Sequence, residues 1–406
     1  MINIIGLGYI GLPTALILAK NGQKVVGTDI NKELINKLNG GYITFEEEGL
    51  DTLFKSGLEQ GIKFSTEYQE TDFYIVAVPT PYIKNSKKLD PTFVILAINE
   101  VLKVCKKGSI VVIESTISPG SIDKYVRPEV NRLNKTIGYD IHLVHAPERI
   151  IPGNMIYELV NNSRTIGADS LEIATRVKEV YASFCKGEIV LTDIRSAEMS
   201  KVVENTFRDV NIAFANELAK ICRSDNMDVY EIIRIANKHP RVNILQPGPG
   251  VGGHCISVDP WFLVGDYPEL TSLISTARKI NDSMPSHVLM RIRTIMIENN
   301  ISEISRVGLY GLTYKENVDD TRESPTLQLI KTLEDHLSLG IKVYDPFVKK
   351  KIVNNQYFDF ELFIDDIDLL VIMVAHNHIK HNFERIESKL ILDTKNTFSD
   401  QNIYKI

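Results

Sequence analysis

The sequence predicts an α/β fold in which two doubly wound parallel-sheet domains are joined by a central helical region with one long helix. Short apolar strands alternate with helical segments up to about Leu191, and the alternation returns from Arg306. Between them, the stretch from Ser196 to about Asp225 contains no glycine or proline and has helical periodicity. A chain of 406 residues is also too long for one hydrophobic core. We therefore predict three domains, at 1–191, 192–300 and 301–406.

The predicted strands are short and almost wholly apolar, which is typical of parallel sheets covered on both faces. In the first domain they are Ile2–Ile5, Lys24–Thr28, Phe73–Val78, Ser109–Ile113 and His142–Val144, with a helix from Thr14 to Lys20. In the third domain they are Val307–Gly311, Ile341–Pro346, Leu369–Ala375 and Leu390–Asp393. Ser324 and Pro325 favour the start of a helix between the first two of these strands.

The long central helix carries apolar residues at helical spacing. They are Met199, Val202, Val203, Phe207, Val210, Phe214, Leu218 and Ile221. About thirty residues give a helix of about 45 Å, which is more than one small domain needs. We therefore interpret it as a spine that joins two domains and forms a subunit interface. The alternative is a long helix packed within one domain.

Composition and charge exclude several classes of function. The chain is 44% hydrophobic and 24% charged, and its net charge of −6 argues against nucleic acid or an anionic membrane as the main partner. The four cysteines form no CxxC pair, so we expect neither a metal site nor a disulfide framework. The first six residues predict a strand rather than a signal peptide, and no uncharged apolar run is long enough to span a bilayer. We therefore expect a cytoplasmic protein.

A glycine motif follows the first predicted strand. Gly6 allows a tight turn, Gly8 lets the backbone approach a pyrophosphate, and Gly11 lets the helix pack closely on the strand. Asp29 lies 18 residues after Gly11, at the end of the second predicted strand. Its carboxylate can accept hydrogen bonds from a ribose diol and would repel a 2′-phosphate. This Rossmann-like pattern predicts NAD as the cofactor; an FAD or nucleotide-sugar domain is the alternative.

A loop rich in glycine and proline, from Gln246 to Gly253, leads to Cys255, and Asp259 follows four residues later. Such a loop can be neither helix nor ladder strand and lets backbone N–H groups approach a ligand. The alternative is a surface turn before a buried cysteine. A thiolate is a good nucleophile for a carbonyl. Beside an NAD domain, it indicates a two-step oxidation in which the thiol adds to an aldehyde and a thioester is later cleaved by water.

Five further residues fit this scheme. Glu148 follows a strand end and can act as a general base or position the water, although a solvated carboxylate is the alternative. Lys201 and Asn205 share a helix face and can hold an oxyanion, or form an ordinary polar stripe. Asp259 can activate water or orient Lys201, or simply form a turn before Pro260. Thr116 can bind a substrate hydroxyl or water, or act as a cap.

Basic residues suggest where phosphates bind. Arg241, Lys315 and Arg322 are candidates for a diphosphate, because a guanidinium binds phosphate in a bidentate manner; each has the alternative of a solvated side chain. His254 precedes Cys255, and adjacent side chains often point apart. We therefore interpret His254 as structural or substrate-facing rather than as the base.

Together these motifs resemble the UDP-glucose/GDP-mannose dehydrogenase family over the whole chain. The resemblance rests on residues 6–13, Val78–Pro81, Glu114–Thr116, Ala146–Arg149, Lys201 to Asn205, the Cys255 loop, Gly311–Lys315 and Asp320–Ser324. It implies an N-terminal NAD domain, a central helical dimerisation region and a C-terminal UDP-sugar domain. It also implies a homodimer through the central helix, or a tetramer.

The resemblance implies a role for each matching residue. Cys255 is the nucleophile, Lys201, Asn205 and Asp259 serve the oxyanion and water steps, and Glu148 and Thr116 assist acid–base and water chemistry. The residues implied on the cofactor side are Gly6, Gly8, Tyr9, Ile10, Gly11, Asp29, Pro79, Thr80, Thr116 and Arg322. Those implied on the substrate side are Glu148, Arg149, Lys201, Asn205, Arg241, Gly252, His254, Tyr314 and Lys315.

The Cys255 loop also narrows the substrate class. UDP-glucose enzymes of the family usually carry Phe and Lys where Ile256 and Val258 stand here. The loop with its following Asp-Pro-Trp-Phe is similar to that of members that oxidise UDP-N-acetyl-D-mannosamine to its uronic acid, a precursor of surface polysaccharide. UDP-N-acetylglucosamine is the alternative, and UDP-glucose is less favoured. Two other classes stay open: a simple hydroxyacid dehydrogenase, which would not need Cys255, and a non-enzymatic module that binds NAD or UDP-sugar.

Overall fold

Residues 1–151, 153–253, 255–335, 340–400 and 403–406 are described by the structure, a computed structural model. The chain divides into two compact units. The first contains residues 1–204 and 261–268, and the second contains residues 205–260 and 269–406. The predicted limits of three domains, at 191 and 300, stay a prediction.

The first unit is built on an eight-stranded sheet. Its strands are β1 (Ile2–Ile5), β2 (Val25–Thr28), β3 (Lys63–Ser65), β4 (Phe73–Val76), β5 (Ser109–Ile113), β6 (Ile141–His145), β7 (Arg164–Ala168) and β8 (Ile189–Thr192). Their order is β3-β2-β1-β4-β5-β6-β7-β8, and every pair is parallel except β6 with β7. The strand order reverses between β1 and β4, which leaves a crevice at the carboxyl edge where nucleotides bind in such sheets.

Seven helices of the first unit cover this sheet. They are α1 (Gly11–Lys20), α2 (Lys32–Asn39), α3 (Leu50–Glu59), α4 (Thr92–Val104), α5 (Arg127–Arg132), α6 (Met155–Asn161) and α7 (Leu171–Ala182), with a π-helical turn at Ile122–Val126. Every residue of α1 from Gly11 to Ala19 is buried, because α1 is apolar on all sides and also contacts α3. The helix next to the glycine motif is therefore rigidly held.

The predicted long helix is α8 (Ile194–Ser224), and its 31 residues extend for about 46 Å. Its residues up to Glu204 belong to the first unit and those from Asn205 to the second. The next helices are α9 (Val229–Ala236), α10 (Asp259–Asp266), α11 (Ser272–Asp282) and α12 (Met284–Glu298), with short 3-10 turns at Pro268–Leu270 and Ile304–Arg306.

A six-stranded, all-parallel sheet organises the second unit. Its strands are β9 (Val307–Tyr310), β10 (Lys342–Tyr344), β11 (Gln356–Tyr357), β12 (Leu369–Ile372), β13 (Leu390–Asp393) and β14 (Tyr404–Lys405). Their order is β11-β10-β9-β12-β13-β14, so the order reverses between β9 and β12 just as it does in the first unit. The remaining helices are α13 (Pro325–Asp335), α14 (Phe360–Asp365), α15 (Asn377–His381) and α16 (Phe383–Ile386).

The predicted fold class is confirmed: two Rossmann-like sheets with a central helical region. The predicted strands all occur, and none of their ends is shifted by more than three residues. Five strands were not predicted, namely β3, β7, β8, β11 and β14. Three of these, β3, β11 and β14, have only two or three residues, which is too few to show a period. In the described residues, we find no helix that is both long and apolar enough to cross a membrane.

Candidate active site

Five neighbouring strands of the first unit carry predicted site residues just beyond their carboxyl ends. The glycine motif follows β1, Asp29 follows β2, Pro79 and Thr80 follow β4, Thr116 follows β5, and Glu148 follows β6. These strands are adjacent in the order β2-β1-β4-β5-β6. The sheet therefore brings these residues, which are spread over more than 140 positions, to one edge.

The three glycines of the motif have different surroundings. Gly6 has a φ of +88°, and a Cβ there would lie 2.5 Å from Ala77 O. A Cβ at Gly11 would lie 1.8 Å from Gly6 O, so only glycine lets α1 start here. Around Gly8, by contrast, no described atom lies within 4 Å of a Cβ position. The open face at Gly8 fits a pyrophosphate approaching the backbone at the start of α1.

Asp29 is held by the turn that it faces. Leu7 N donates to its Oδ2 at 2.9 Å, and Asn31 N donates to its Oδ1 at 2.9 Å. Each carboxylate oxygen therefore keeps an acceptor position for a ribose hydroxyl. The arrangement fits NAD, because the carboxylate is fixed beside the glycine motif.

The loops after β4 and β5 are joined to each other. Ser115 Oγ donates to Val78 O at 2.7 Å, next to Pro79 and Thr80. Thr80 is buried, Pro79 is exposed and Thr116 is half-buried. Tyr9, beside Gly8, packs its ring on Phe45 with centroids 4.3 Å apart. Ile10, the last residue before α1, is also half-buried.

Glu148 belongs to a buried ionic network. Arg164, at the start of β7, binds Glu148 Oε2 through Nη2 and Glu114 Oε1 through Nη1, the latter at 3.3 Å. Tyr181 from α7 donates to Glu114 Oε1 at 3.1 Å, and its ring lies 4.7 Å below the guanidinium. None of these four side chains is more than a few per cent exposed. The Glu148 carboxylate is therefore fixed rather than solvated, which excludes the alternative of an ordinary surface carboxylate.

Two carboxylates share one guanidinium in this network. Burial, together with the nearby Glu148 charge, raises the pKa of Glu114 to about 7. The two acidic partners raise the pKa of Arg164 although burial opposes this, so the guanidinium stays charged. Glu114 thus holds a proton more tightly than an ordinary glutamate.

Arg149 is engaged within the first unit. Its Nη2 pairs with Glu204 Oε1 at 2.5 Å, and its guanidinium also donates to Ser163 Oγ at 2.9 Å and Thr165 Oγ1 at 3.0 Å. Its backbone N donates to Glu148 Oε1 at 2.7 Å. These contacts connect the loop after β6 to β7 and α8. That Arg149 binds the substrate stays a prediction. Lys201 on α8 is buried.

In the second unit, three predicted residues lie together. Cys255 O accepts hydrogen bonds from Val258 N at 3.1 Å and Asp259 N at 2.9 Å, so that the cysteine and the aspartate share the turn that begins α10. Asn205 Nδ2 donates to Asp259 Oδ2 at 2.5 Å, and Arg208 Nη2 donates to Asn205 Oδ1. Asn205 and Asp259 are buried, while Cys255 is a half-buried reduced thiol.

The glycines before Cys255 are required by packing on the loop that follows β9. A Cβ at Gly252 would lie 2.6 Å from Glu323 O, and one at Gly253 would lie 2.7 Å from Tyr314 Cε2. Gly253 also has a φ of +86° and donates its N–H to Arg322 O at 3.0 Å. The close approach that the sequence predicted for a ligand is thus made, at these two glycines, to Tyr314 and its neighbours.

Three predicted phosphate-binding residues have different environments. Arg322 is about half exposed and pairs with Asp320 at 2.6 Å between Nη2 and Oδ2. Lys315 is half-buried, and its carbonyl accepts from Thr313 Oγ1 at 2.8 Å. Arg241 is exposed in the segment after α9, where its N–H donates to His239 Nδ1 at 3.3 Å. His254, for which we predicted a structural or substrate-facing role, lies outside the described residues. No group of three or more potential metal ligands occurs in the described part of the chain.

The sequence reasoning missed four residues that contact the predicted ones: Glu114 as an ionic partner, Arg164, Tyr181 and Arg208. Glu114 was part of a recognised motif, and Arg208 lies three positions after Asn205 on α8. Spacing on a helix could therefore have indicated Arg208. Arg164 and Tyr181 had no such signal, because only the pairing of β6 with β7 and the packing of α7 bring them to Glu148 and Glu114.

The chain matches three models of one family. These are the NAD binding domain of the UDP-glucose/GDP-mannose dehydrogenase family over residues 1–185, its central domain over 195–283 and its UDP binding domain over 308–400. A UDP-N-acetyl-D-mannosamine dehydrogenase from Methanococcus aeolicus is 42% identical, over 98% of this chain and 91% of that protein. An NDP-N-acetyl-D-galactosaminuronic acid dehydrogenase from Ralstonia nicotianae is 39% identical, over 99% of this chain and 97% of that protein.

A solved structure agrees. The UDP-N-acetyl-mannosamine dehydrogenase from Staphylococcus aureus superimposes with a TM-score of 0.89 at 42% identity, covering 100% of this chain and 97% of that one. The resemblance inferred from the motifs is confirmed, as is NAD as the cofactor. The chain belongs to the UDP-glucose/GDP-mannose dehydrogenase family and is an NAD-dependent oxidoreductase.

Proposed function

We propose that this enzyme oxidises the C6 hydroxyl of UDP-N-acetyl-D-mannosamine to the carboxylate of UDP-N-acetyl-D-mannosaminuronic acid. The observation that carries the two-step chemistry is the half-buried Cys255 thiol, which shares a turn with the Asn205–Asp259 pair. The choice of sugar is supported by Ile256 and Val258 in the Cys255 loop and by the names of relatives that are about 40% identical.

The reaction needs two hydride transfers and one water. In the first oxidation the C6 alcohol loses a hydride and a proton and becomes an aldehyde. Cys255 Sγ then adds to the aldehyde carbon and gives a thiohemiacetal. Loss of a second hydride from that carbon and of the proton from its hydroxyl gives a thioester, and water cleaves the C–S bond to release the acid and the thiol. Bound NAD⁺ supplies the hydride acceptor, and two are reduced for each sugar.

The chain's own residues divide this work. Asn205 has an amide that can donate to the oxyanion of the tetrahedral species, and the ammonium of Lys201 adds a positive charge. Asp259, whose carboxylate is oriented by Asn205, can take a proton from the hydrolytic water. Glu148 and Thr116 serve acid–base and water chemistry.

In this proposal, most of the residues that bind NAD belong to the first unit, and the second unit contributes residues that bind the UDP-sugar. In the first unit, the glycine motif, Asp29 and the loops after β4 and β5 hold NAD. In the second unit, Gly252, Tyr314, Lys315 and Arg241 contact the UDP-sugar. Arg322 serves the cofactor.

The first test is the yield of NADH per sugar with limiting UDP-N-acetylmannosamine. UDP-N-acetylglucosamine, UDP-N-acetylgalactosamine and UDP-glucose are compared in parallel. Two NADH from UDP-N-acetylmannosamine, with little from the others, supports both the mechanism and the substrate. Two NADH from another sugar would keep the mechanism and replace the substrate. A single NADH per sugar would refute the role of Cys255.

The Cys255→Ser variant tests the covalent step directly. A serine hydroxyl is a far weaker nucleophile than a thiolate, so we expect no thioester and no more than one NADH per sugar. Cys105→Ser is the matched control, because Cys105 is also a half-buried thiol. A Cys255→Ser enzyme that still forms the acid with two NADH would favour the simple hydroxyacid-dehydrogenase class.

The homodimer is part of the proposal and rests on an apolar stripe along α8. Val203, Phe207, Phe214 and Ile221 are 46, 65, 51 and 50% exposed, and they recur every four or seven residues. Large apolar side chains at this spacing favour packing against a second helix. We expect a dimer by light scattering, or a tetramer, and a shift toward monomer in Phe207→Glu.

We also expect a cytoplasmic enzyme whose product enters a surface polysaccharide.

A further inference from the structure

Arg291, in the middle of α12, has a buried guanidinium without a hydrogen-bonding partner. The residue is 6% exposed, and its Nε and Nη2 atoms are both inaccessible and unpaired among the described residues. An arginine side chain stays charged at any ordinary pH. Burying such a charge without an acceptor is costly, so the site calls for an anion.

The other buried arginines of the described chain have such partners. Arg164 binds the carboxylates of Glu114 and Glu148, and Arg278 binds those of Asp209 and Asp282. Each thus meets two carboxylates from its own unit. Arg291 makes no salt bridge within 4 Å in the described residues, which sets it apart.

The groups around Arg291 increase the positive charge. Burial and the neighbouring Arg223 lower the pKa of Arg291. Burial and the charges of Lys220, Arg291 and Arg223 lower the pKa of His287 to about 4, so His287 is neutral near pH 7. Lys220 Nζ donates to Ser283 Oγ at 2.9 Å. We call Lys220, Arg223, His287 and Arg291 the α8–α12 basic cluster.

Acidic groups facing the cluster do not neutralise it. Glu298 and Tyr404 act on Arg291 from a distance, as Glu217 does on Lys220. Glu298 is exposed, seven positions along α12 from Arg291. None of the three positively charged side chains, Lys220, Arg223 and Arg291, thus has a salt bridge within 4 Å among the described residues. His287 Nε2 is also buried and unpaired, which adds a neutral polar atom to the cluster.

We propose that the α8–α12 basic cluster binds a small tetrahedral oxyanion, phosphate or sulfate. Two guanidinium groups and one ammonium group from two helices supply the positive charge that such an ion needs, and the buried Nε and Nη2 atoms of Arg291 supply unused hydrogen-bond donors. The burial of Arg291 favours a free ion over a bulky ester. Lys220 lies fifteen residues after Asn205 on α8, about 22 Å along the helix, so this site is separate from the Asn205–Asp259 pair.

The test is thermal unfolding with a phosphate titration at constant ionic strength. Saturating NAD⁺ and UDP are present throughout, so that phosphate cannot act through the nucleotide sites. The variants are Arg291→Met and, as matched control, Arg293→Met, which removes an exposed arginine of the same helix. We expect phosphate to raise the melting temperature of the wild type and of Arg293→Met with one saturable midpoint.

In Arg291→Met, the phosphate concentration at the titration midpoint should be at least about tenfold higher than in the wild type, because the variant loses one charge-assisted hydrogen bond to the ion. Without phosphate, it should melt above the wild type, because it removes an unpaired buried charge. Arg223→Gln, at a half-buried position, should also weaken the response and guards against a folding defect in Arg291→Met.

Two results would overturn the proposal. One is an equal phosphate response in the wild type and in both cluster variants. The other is a smaller particle for Arg291→Met than for Arg293→Met in size-exclusion chromatography, which would mean that a carboxylate of a second subunit fills the cluster. A stronger response to glucose 6-phosphate than to inorganic phosphate would contradict the choice of a free ion.

Discussion

Replacing Glu114 by glutamine should change how the stability of the protein depends on pH. Glu114 Oε1 accepts hydrogen bonds from Tyr181 and Arg164, and Thr14 Oγ1 lies 3.4 Å from Oε2. A glutamine can keep all three contacts, because its Oε1 accepts and its Nε2 can donate to Thr14. The variant therefore removes a titrating proton and little else.

The magnitude follows from the raised pKa of Glu114, about 7 in the folded protein against 4.5 for the ordinary carboxyl. Between these values the folded protein still holds a proton that the unfolded chain has lost. The stabilisation from that proton is complete below the lower value and is lost as the pH rises through the higher one. At about 1.4 kcal/mol for each pKa unit, the loss is on the order of 3 kcal/mol.

Urea unfolding at about pH 5 and about pH 8 measures this effect. Relative to the wild type, the free energy of unfolding of Glu114→Gln should rise by about 2.5 kcal/mol between the two conditions, because its side chain cannot ionise; the rest of the effect lies below about pH 5. Glu70→Gln, which neutralises an exposed carboxylate, is the control and should not gain. A stability difference between wild type and Glu114→Gln that stays constant with pH would refute the reasoning.

Two other predictions concern backbone space and a buried ion pair. Gly8→Ala should weaken NAD binding in calorimetry, because its Cβ would occupy the open space that a pyrophosphate needs, and it should keep the wild-type unfolding temperature. Gly11→Ala should both weaken NAD binding and lower the unfolding temperature, because its Cβ would overlap Gly6 O. Equal melting temperatures for the two variants would contradict this. Asp209→Ala should cost about 3 kcal/mol in urea unfolding, because it removes a buried carboxylate that pairs with Arg278 at 2.6 Å. A loss below about 1 kcal/mol would be inconsistent with a buried pair.

Much of the fold was predictable because its signals are local. The apolar strands β1, β5 and β13 were predicted with the limits that the structure gives, and α8 was predicted within two residues at each end. The antiparallel pairing of β6 with β7 was not predicted. Pairing depends on how distant segments meet, and the residues of β7 carry no periodic pattern that states their direction.

The candidate site was predictable in its residue types but less so in its contacts. The Asn205–Asp259 pair and the shared turn of Cys255 agree with the predicted grouping. Gly252 and Gly253 were expected to let a ligand approach the backbone. In the structure, the absence of a side chain at these two positions makes room for Glu323 and Tyr314. A sequence shows that a glycine is needed more readily than it shows what comes close to it.

The sequence by itself determined the elements whose cause lies within a few residues: the glycine motif at the start of α1, the long helix, and the cysteine followed by Asp259. Tertiary structure alone decided the charge state of the buried groups. Glu114, Glu148 and Arg164 lie on different strands or loops, and they meet only because β5, β6 and β7 are neighbours in the sheet. Burial and the distance between charges set a pKa, and neither quantity exists until the chain is folded.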